Sequence, residues 1–201
     1  VALAEGDASI RFIDASTAHR VDSDWVYGFP EMTATQRGMI ASASRIANPG
    51  CYPTGFLALA KPLIASGMLP ADSRLSVPAV SGYSGGGKSM ISAHDSGELA
   101  PQFNYGTSLS HKHLAEMTHY AGLTTPPIFM PSVGDFYAGM LVHLPLHADQ
   151  FAGAVEANQL YQLYADWYAA APLVRMGAAR ANDENTPKML AADALADTDS
   201  I

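Results

Sequence analysis

Between Asn48 and Ser66 the chain passes from a proline-punctuated turn into a helix, and this transition fixes the place of its only cysteine. Phe56, Leu57, Leu59, Ala60, Leu63 and Ile64 recur at i, i+3, i+4 spacing, which predicts an amphipathic helix ending near Gly67. Pro53 suits a first helical turn, where its missing N–H costs nothing. Cys51 therefore stands at or just before a helix N-terminus. There the free N–H groups and the helix dipole lower a thiol pKa and can stabilise an oxyanion on an attacked carbonyl. Gly50 lets a substrate approach the backbone closely. A lone cysteine is more often a small buried hydrophobe; the Asn-Pro-Gly-Cys-Tyr-Pro-Thr setting favours a nucleophile.

The 201 residues are 48% hydrophobic and 15% charged, enough for one sizeable core and unlike a disordered chain. A net charge of -8 disfavours nucleic acid and anionic membrane as partners, while leaving room for a small anion in a locally basic pocket. One cysteine excludes an intramolecular disulfide. The sequence has no apolar run of the ~20 residues that span a bilayer, and it lacks the layout of a signal peptide. A cytoplasmic location is the expectation. The chain opens on Val1 without a methionine and closes at Ile201 where a strand is about to begin, so it reads as an excerpt of a longer protein.

Ile10–Asp14 reads as a strand, Tyr27–Glu31 as a turn, Thr33–Ser44 as helix or loop, and Arg45–Asn48 as a short strand. Leu75–Ser81 is a further strand, followed by a glycine-rich loop over Gly82–Lys88. His111–Ala121 and Phe151–Ala170 carry helical patterns, and Ile128–Met130, Met140–Leu146 and Val174–Met176 read as strands. Alternating helices and strands make the class mixed α and β.

Ser84-Gly85-Gly86-Gly87-Lys88 fails the P-loop spacing. Two readings stay open: a flexible turn between strands, or a nest of N–H groups with Lys88 near an anionic phosphate. His111 and His113 diverge by roughly 200° on a helix but can share a pocket at a helix start. His113 and Glu116 share a face. A zinc reading through His111, His113, Glu116 and His119 lacks the His-Glu-x-x-His order, and no metal is expected. Arg20, after Ser16 and Thr17, has the planar fork for a carboxylate or phosphate, or is a solvated loop arginine. His94, His143 and His147 read as surface or satisfied core positions. Tyr161, Tyr164, Trp167 and Tyr168 read as core or subunit interface.

Asn48-Pro49-Gly50-Cys51-Tyr52-Pro53-Thr54 resembles the active-site signature of the short-form N-acetyl-gamma-glutamyl-phosphate reductase family, within the aspartate-semialdehyde dehydrogenase superfamily. Asp14–Arg20, Trp25–Glu31, Val80–Lys88 and His111–Met117 also resemble that family, in order along the chain. The resemblance implies an α+β fold: a mostly antiparallel sheet with helices on one face, as in the catalytic and dimerisation domain of glyceraldehyde-phosphate-dehydrogenase-like enzymes. It implies that residues 1–46 are a remnant of a Rossmann domain edge and linker, and that 47–201 are a catalytic and substrate-binding domain cut short at its C-terminus. Cys51 would be the nucleophile, with His111 or His113 as acid–base group. Arg20, Ser16, Asn48, Ser81 and Lys88 would bind substrate, and Gly50, Gly82 and Gly85 would lie against the cofactor. That cofactor would be NADP, whose main Gly-x-Gly-x-x-Gly fingerprint is absent from the sequence. A homo-oligomer through the sheet is implied. The implied reaction is reductive dephosphorylation of N-acetyl-glutamyl phosphate to N-acetyl-glutamate semialdehyde through a Cys51 thioester, in arginine biosynthesis. Three rivals are an aspartate-semialdehyde dehydrogenase-like reductase, a cysteine hydrolase using Cys51, His113 and Asp135, and a non-catalytic interaction module.

Overall fold

A computed structural model describes residues 10–177 and 189–201. Its first sheet is parallel, with β3 (Arg45–Ala47) between β1 (Phe12–Asp14) and β2 (Val26–Tyr27). The second sheet has the order β5-β6-β4-β7, from β4 (Ser76–Gly82), β5 (Gln102–Asn104), β6 (Ile128–Gly134) and β7 (Met140–Val142). Its edge pairs, β5–β6 and β4–β7, are antiparallel. Its longest pairing, β4 with β6, is parallel from Ser76–Ile128 to Gly82–Gly134. The expected mostly antiparallel sheet is thus corrected to mixed sheets. The physical reason is the connection: α3 (Gly87–Asp95), β5 and α4 (Leu114–Ala121) lie between β4 and β6, and only a crossover of that length returns a chain parallel to itself.

β4 alternates, burying Val77, Ala79 and Ser81 and turning Ser76, Pro78 and Val80 outward. The apolar stripe of α2 (Cys51–Ala65) meets the buried face. Phe56, Leu57, Ala60 and Leu63 join Val77, Ala79, Phe129 and the α4 residue Met117 in one core. Each such large side chain stabilises the fold by roughly 1.5–3 kcal/mol when buried. α5 (Ala157–Trp167) also packs on α2, and Tyr164 and, just past its end, Tyr168 donate hydroxyl hydrogen bonds to the Leu59 and Ala58 carbonyls at 2.5 and 2.7 Å. No helix among the described residues is long and apolar enough to cross a membrane.

Several elements differ from their sequence reading. Tyr83–Gly86 forms a 3-10 turn that leads straight into α3, so the glycine-rich segment is built, not slack. The Thr33–Ser44 stretch holds α1 (Gln36–Ser42). Helix α4 starts at Leu114, not His111, and α5 is shorter than Phe151–Ala170. Residues Val174–Met176 form no strand, although the Arg175 N–H donates to the Ile201 carbonyl.

Candidate active site

Gly50 caps α2 in an extended conformation, and Cys51 is the first helical residue. The thiol is free and opens on a cleft of about 290 Å³. A side chain at position 50 would meet His113 Nε2 at 2.7 Å and Arg20 Nη1 at 2.9 Å. Glycine is therefore required here because an imidazole and a guanidinium close over the residue before the thiol. The cleft is also lined by Tyr105, His111, Lys112, Gly85, Gly86 and Met90.

The two histidines stand in the turn before α4, not on it. The His113 N–H donates to His111 Nδ1 at 3.1 Å, and the ring centroids lie 4.6 Å apart. That turn lets both rings line the cleft, which helical spacing would forbid. His113 is buried, and burial, with His111, Arg20 and Lys112 adding positive charge nearby, holds its pKa down to about 3. It is a neutral imidazole at physiological pH, with Nδ1 lacking a partner. His111 is shifted the same way, chiefly by burial.

The organising group is one that the sequence reading did not rank: Glu116. It is fully buried, and its carboxylate accepts from Arg20 Nη1 at 2.8 Å, the Tyr27 hydroxyl at 2.9 Å and the Gly50 N–H at 2.9 Å. It thus ties α4 to β2, to the Arg20 loop and to the start of α2. Tyr120 stacks on Tyr27 and donates to the Arg20 carbonyl, closing the same cluster. Arg20 also donates to the Ala15 carbonyl, so its fork is largely committed and only Nε is without a partner. Its signal in the sequence was an acidic residue beside Met117 on the apolar side of a helix.

Cys51 departs from the expected low pKa. Burial pushes the thiol up, against the N–H groups of Tyr52 and Cys51 and the Arg20 charge; Glu116 adds to the rise. The residue itself nonetheless remains exposed to solvent at the start of the helix.

Ser81 lines the cleft, with its hydroxyl bonded to the Tyr52 hydroxyl at 2.9 Å. Ser16, Asn48 and Lys88 do not line it: Ser16 is bonded to Asp14, Asn48 is exposed with its N–H on the Asp14 carbonyl, and Lys88 is exposed on α3. Gly82 is glycine for packing, since a side chain there would strike the Tyr137 carbonyl at 2.4 Å. At Gly85 the space is open, with nothing nearer than Ser81 Oγ at 3.5 Å. Asp135 pairs with His94 at 2.8 Å, which removes it as the third member of a Cys51–His113 hydrolase. Among the described residues no group of three or more His, Cys, Asp or Glu could hold a metal.

A helix-start thiol, a neutral imidazole and a fixed guanidinium line one cleft of a domain of the α+β class. The chain belongs to the semialdehyde dehydrogenase dimerisation-domain family, whose model matches residues 51–195. It is 45% identical over 177 residues to N-acetyl-gamma-glutamyl-phosphate reductase 2 of Nostoc sp., covering 84% of this chain and 55% of that protein. With N-acetyl-gamma-glutamyl-phosphate reductase of Brucella anthropi the identity is 47% over 181 residues, covering 88% and 58%. The chain thus spans about half the length of the curated relatives it matches. Aspartate semialdehyde dehydrogenase from Francisella tularensis shares its fold with a TM-score of 0.64 at 12% identity, over 99% of this chain and 66% of that one. Aspartate semialdehyde dehydrogenase II from Vibrio cholerae does so with a TM-score of 0.55 at 17% identity, over 81% and 54%.

Proposed function

We propose that this chain supplies the nucleophile, proton-transfer group and substrate cleft of a cytoplasmic reductase. That enzyme would convert N-acetyl-glutamyl phosphate to N-acetyl-glutamate semialdehyde in arginine biosynthesis. The observation that carries the reading is Cys51 opening on a cleft between His113 and Arg20. Residues 1–46, of which 1–9 lie outside the described residues, read as the edge of a nucleotide domain and a linker, and 47–201 as the catalytic domain; the parallel sheet supports a nucleotide-domain edge, although its central strand β3 runs across the boundary to Ala47.

Neutral His113 takes the Cys51 proton, and the thiolate attacks the acyl-phosphate carbonyl. The N–H groups at the start of α2 face the developing oxyanion. Phosphate leaves with the proton from His113, and an acyl thioester remains on Cys51. A bound NADPH would supply hydride to that carbonyl. Once the aldehyde has departed, the Cys51 thiolate regains a proton from solvent. Arg20, held by Glu116, places a fixed positive charge beside the substrate's anionic groups. The open backbone at Gly85 suits the flat nicotinamide ring; Gly50, Gly82 and Gly86 have no space left for it.

The test is capture of the acyl-enzyme. Mixing the chain with N-acetyl-glutamyl phosphate without cofactor should add one N-acetyl-glutamyl group to Cys51, read by intact and peptide mass. Cys51→Ser should abolish the adduct, and His113→Asn should slow it about 100-fold or more, the usual scale of general acid–base catalysis. Acylation elsewhere, or none, would refute the reading.

A further inference from the structure

Outside the cleft, four side chains form a contact that the chemistry above does not use. The His94 ring lies flat on Tyr83, with centroids 3.6 Å apart at 11°. His94 Nε2 meets Asp135 Oδ1 at 2.8 Å. Tyr137, two residues beyond Asp135, places its ring edge-on to Tyr83 at 5.6 Å. The backbone repeats the link: the Tyr83 and Ser84 N–H groups donate to the Phe136 and Tyr137 carbonyls at 3.0 and 3.1 Å. Asp135 and, more weakly, Asp95 hold the imidazolium form of His94 up in pKa.

What this contact secures is the part of the cleft wall made by Gly85, Gly86 and Met90. Gly85 and Gly86 follow Tyr83, and Met90, on α3, folds back on Gly86, its sulfur 2.6 Å from where a Gly86 Cβ would stand. Gly87, the first residue of α3, joins Gly86 to the rest of the helix at φ +76°, a conformation that glycine alone adopts without strain. α3 has no buried residue of its own. A nine-residue helix behind a glycine joint, without an anchored apolar face, is free to swing unless its end is tied. His94 sits in its last turn and provides the tie.

We propose that His94 is a positioning residue: bonded to Asp135 and stacked on Tyr83, it pins α3 so that Gly85, Gly86 and Met90 set the width of the Cys51 cleft. Its consequence for substrate rests on the function proposed above; the pin itself does not. The test uses the whole chain. Amide hydrogen exchange over residues 84–90 and alkylation of Cys51 by iodoacetamide and by the bulkier N-ethylmaleimide are compared with the melting midpoint. His94→Ala and Asp135→Ala should each speed exchange in 84–90 severalfold and favour the bulkier reagent. The double variant should add nothing further. His94→Gln, which keeps a donor for Asp135, should recover part of the loss. A general loss of stability would move the midpoint without moving the ratio of the two reagents. Should His94→Ala fail to fold, Asp135→Ala carries the same readings. Unchanged exchange, or an unchanged reagent ratio, overturns the proposal. Failure of Cys51 to accept an acyl group with these readings intact would overturn the proposed function alone.

Discussion

At the scale of single residues the site is a contest between burial and charge. Cys51 and His113 are both pushed toward their neutral forms, the thiol up and the imidazole down, with burial the largest cause for each. A neutral pair is a sound resting state for the nucleophile proposed above. The cysteine was legible because turn chemistry announces a helix start; the shift of its pKa was not, because it depends on desolvation and on the charges of Arg20 and Glu116, brought in from far along the chain. Glu116 was legible only as a histidine neighbour, since its three partners come from positions 20, 27 and 50. His113 carries a measurable linkage. Unfolded, it binds a proton near pH 6.5; folded, not until about pH 3. Its contribution to stability is thus present above pH 6.5 and is lost as pH falls toward 3. Between pH 6.5 and 5, above the carboxylate range, urea unfolding of the wild-type chain should lose up to about 1.4 kcal/mol per pH unit from this group. His113→Asn should flatten that slope, and equal slopes in the two proteins would contradict a depressed imidazole.

At the scale of elements, Pro62 inside α2 shows how tertiary contacts permit what local rules oppose. Proline has no N–H for the carbonyl four residues back, and that carbonyl belongs to Ala58. Tyr168 donates to it instead, at 2.7 Å. The helix was readable from its apolar spacing, and so was an aromatic run at 161–168 with a core or interface role; the hydroxyl that repairs the proline was not, because it arrives from a separate element. The same limit explains the glycine-rich segment. Glycines at 82 and 85–87 announce a turn, but helix α3 behind them forms where Gly82 and Tyr83 find the 136–139 backbone across the sheet. The short strands β2 and β5 likewise have too few residues to show a period, and exist because neighbouring strands accept them. Tyr168→Phe should lower stability by about 0.5–1.5 kcal/mol, the net worth of a hydrogen bond to a half-buried carbonyl. In a Pro62→Ala background the new N–H can reach the Ala58 carbonyl, so the same tyrosine change should cost clearly less. Additive effects in this cycle, measured by denaturant unfolding, would show that Tyr168 stabilises by packing alone.

At the scale of the whole molecule the second sheet is two-faced. Its inner face is closed by α2, α4 and α5, whereas Ile128 and Met130 on β6 each remain 49% exposed. The parallel register puts Ser76 and Pro78 opposite them, and the β7 residue Leu141 opposite Val80, so the outward side is largely apolar across the central strands. An apolar patch of this kind on a strand pair marks an association surface more often than bare solvent contact. A second copy of the chain is the occupant that the family's description as a dimerisation domain favours. Pairing through this face would leave the Cys51 cleft open, because Cys51 begins the helix on the inner side. Sedimentation of the purified chain should therefore show a concentration-dependent dimer. Met130→Glu places a charge in the centre of the patch, where an unpaired carboxylate is costly to bury. It should shift the chain to monomer while leaving the midpoint of the monomeric fold and the alkylation of Cys51 unchanged, since residue 130 points away from both core and cleft. A wild-type chain that stays monomeric at high concentration would remove this face as the interface, as would a Met130→Glu chain that dimerises as before.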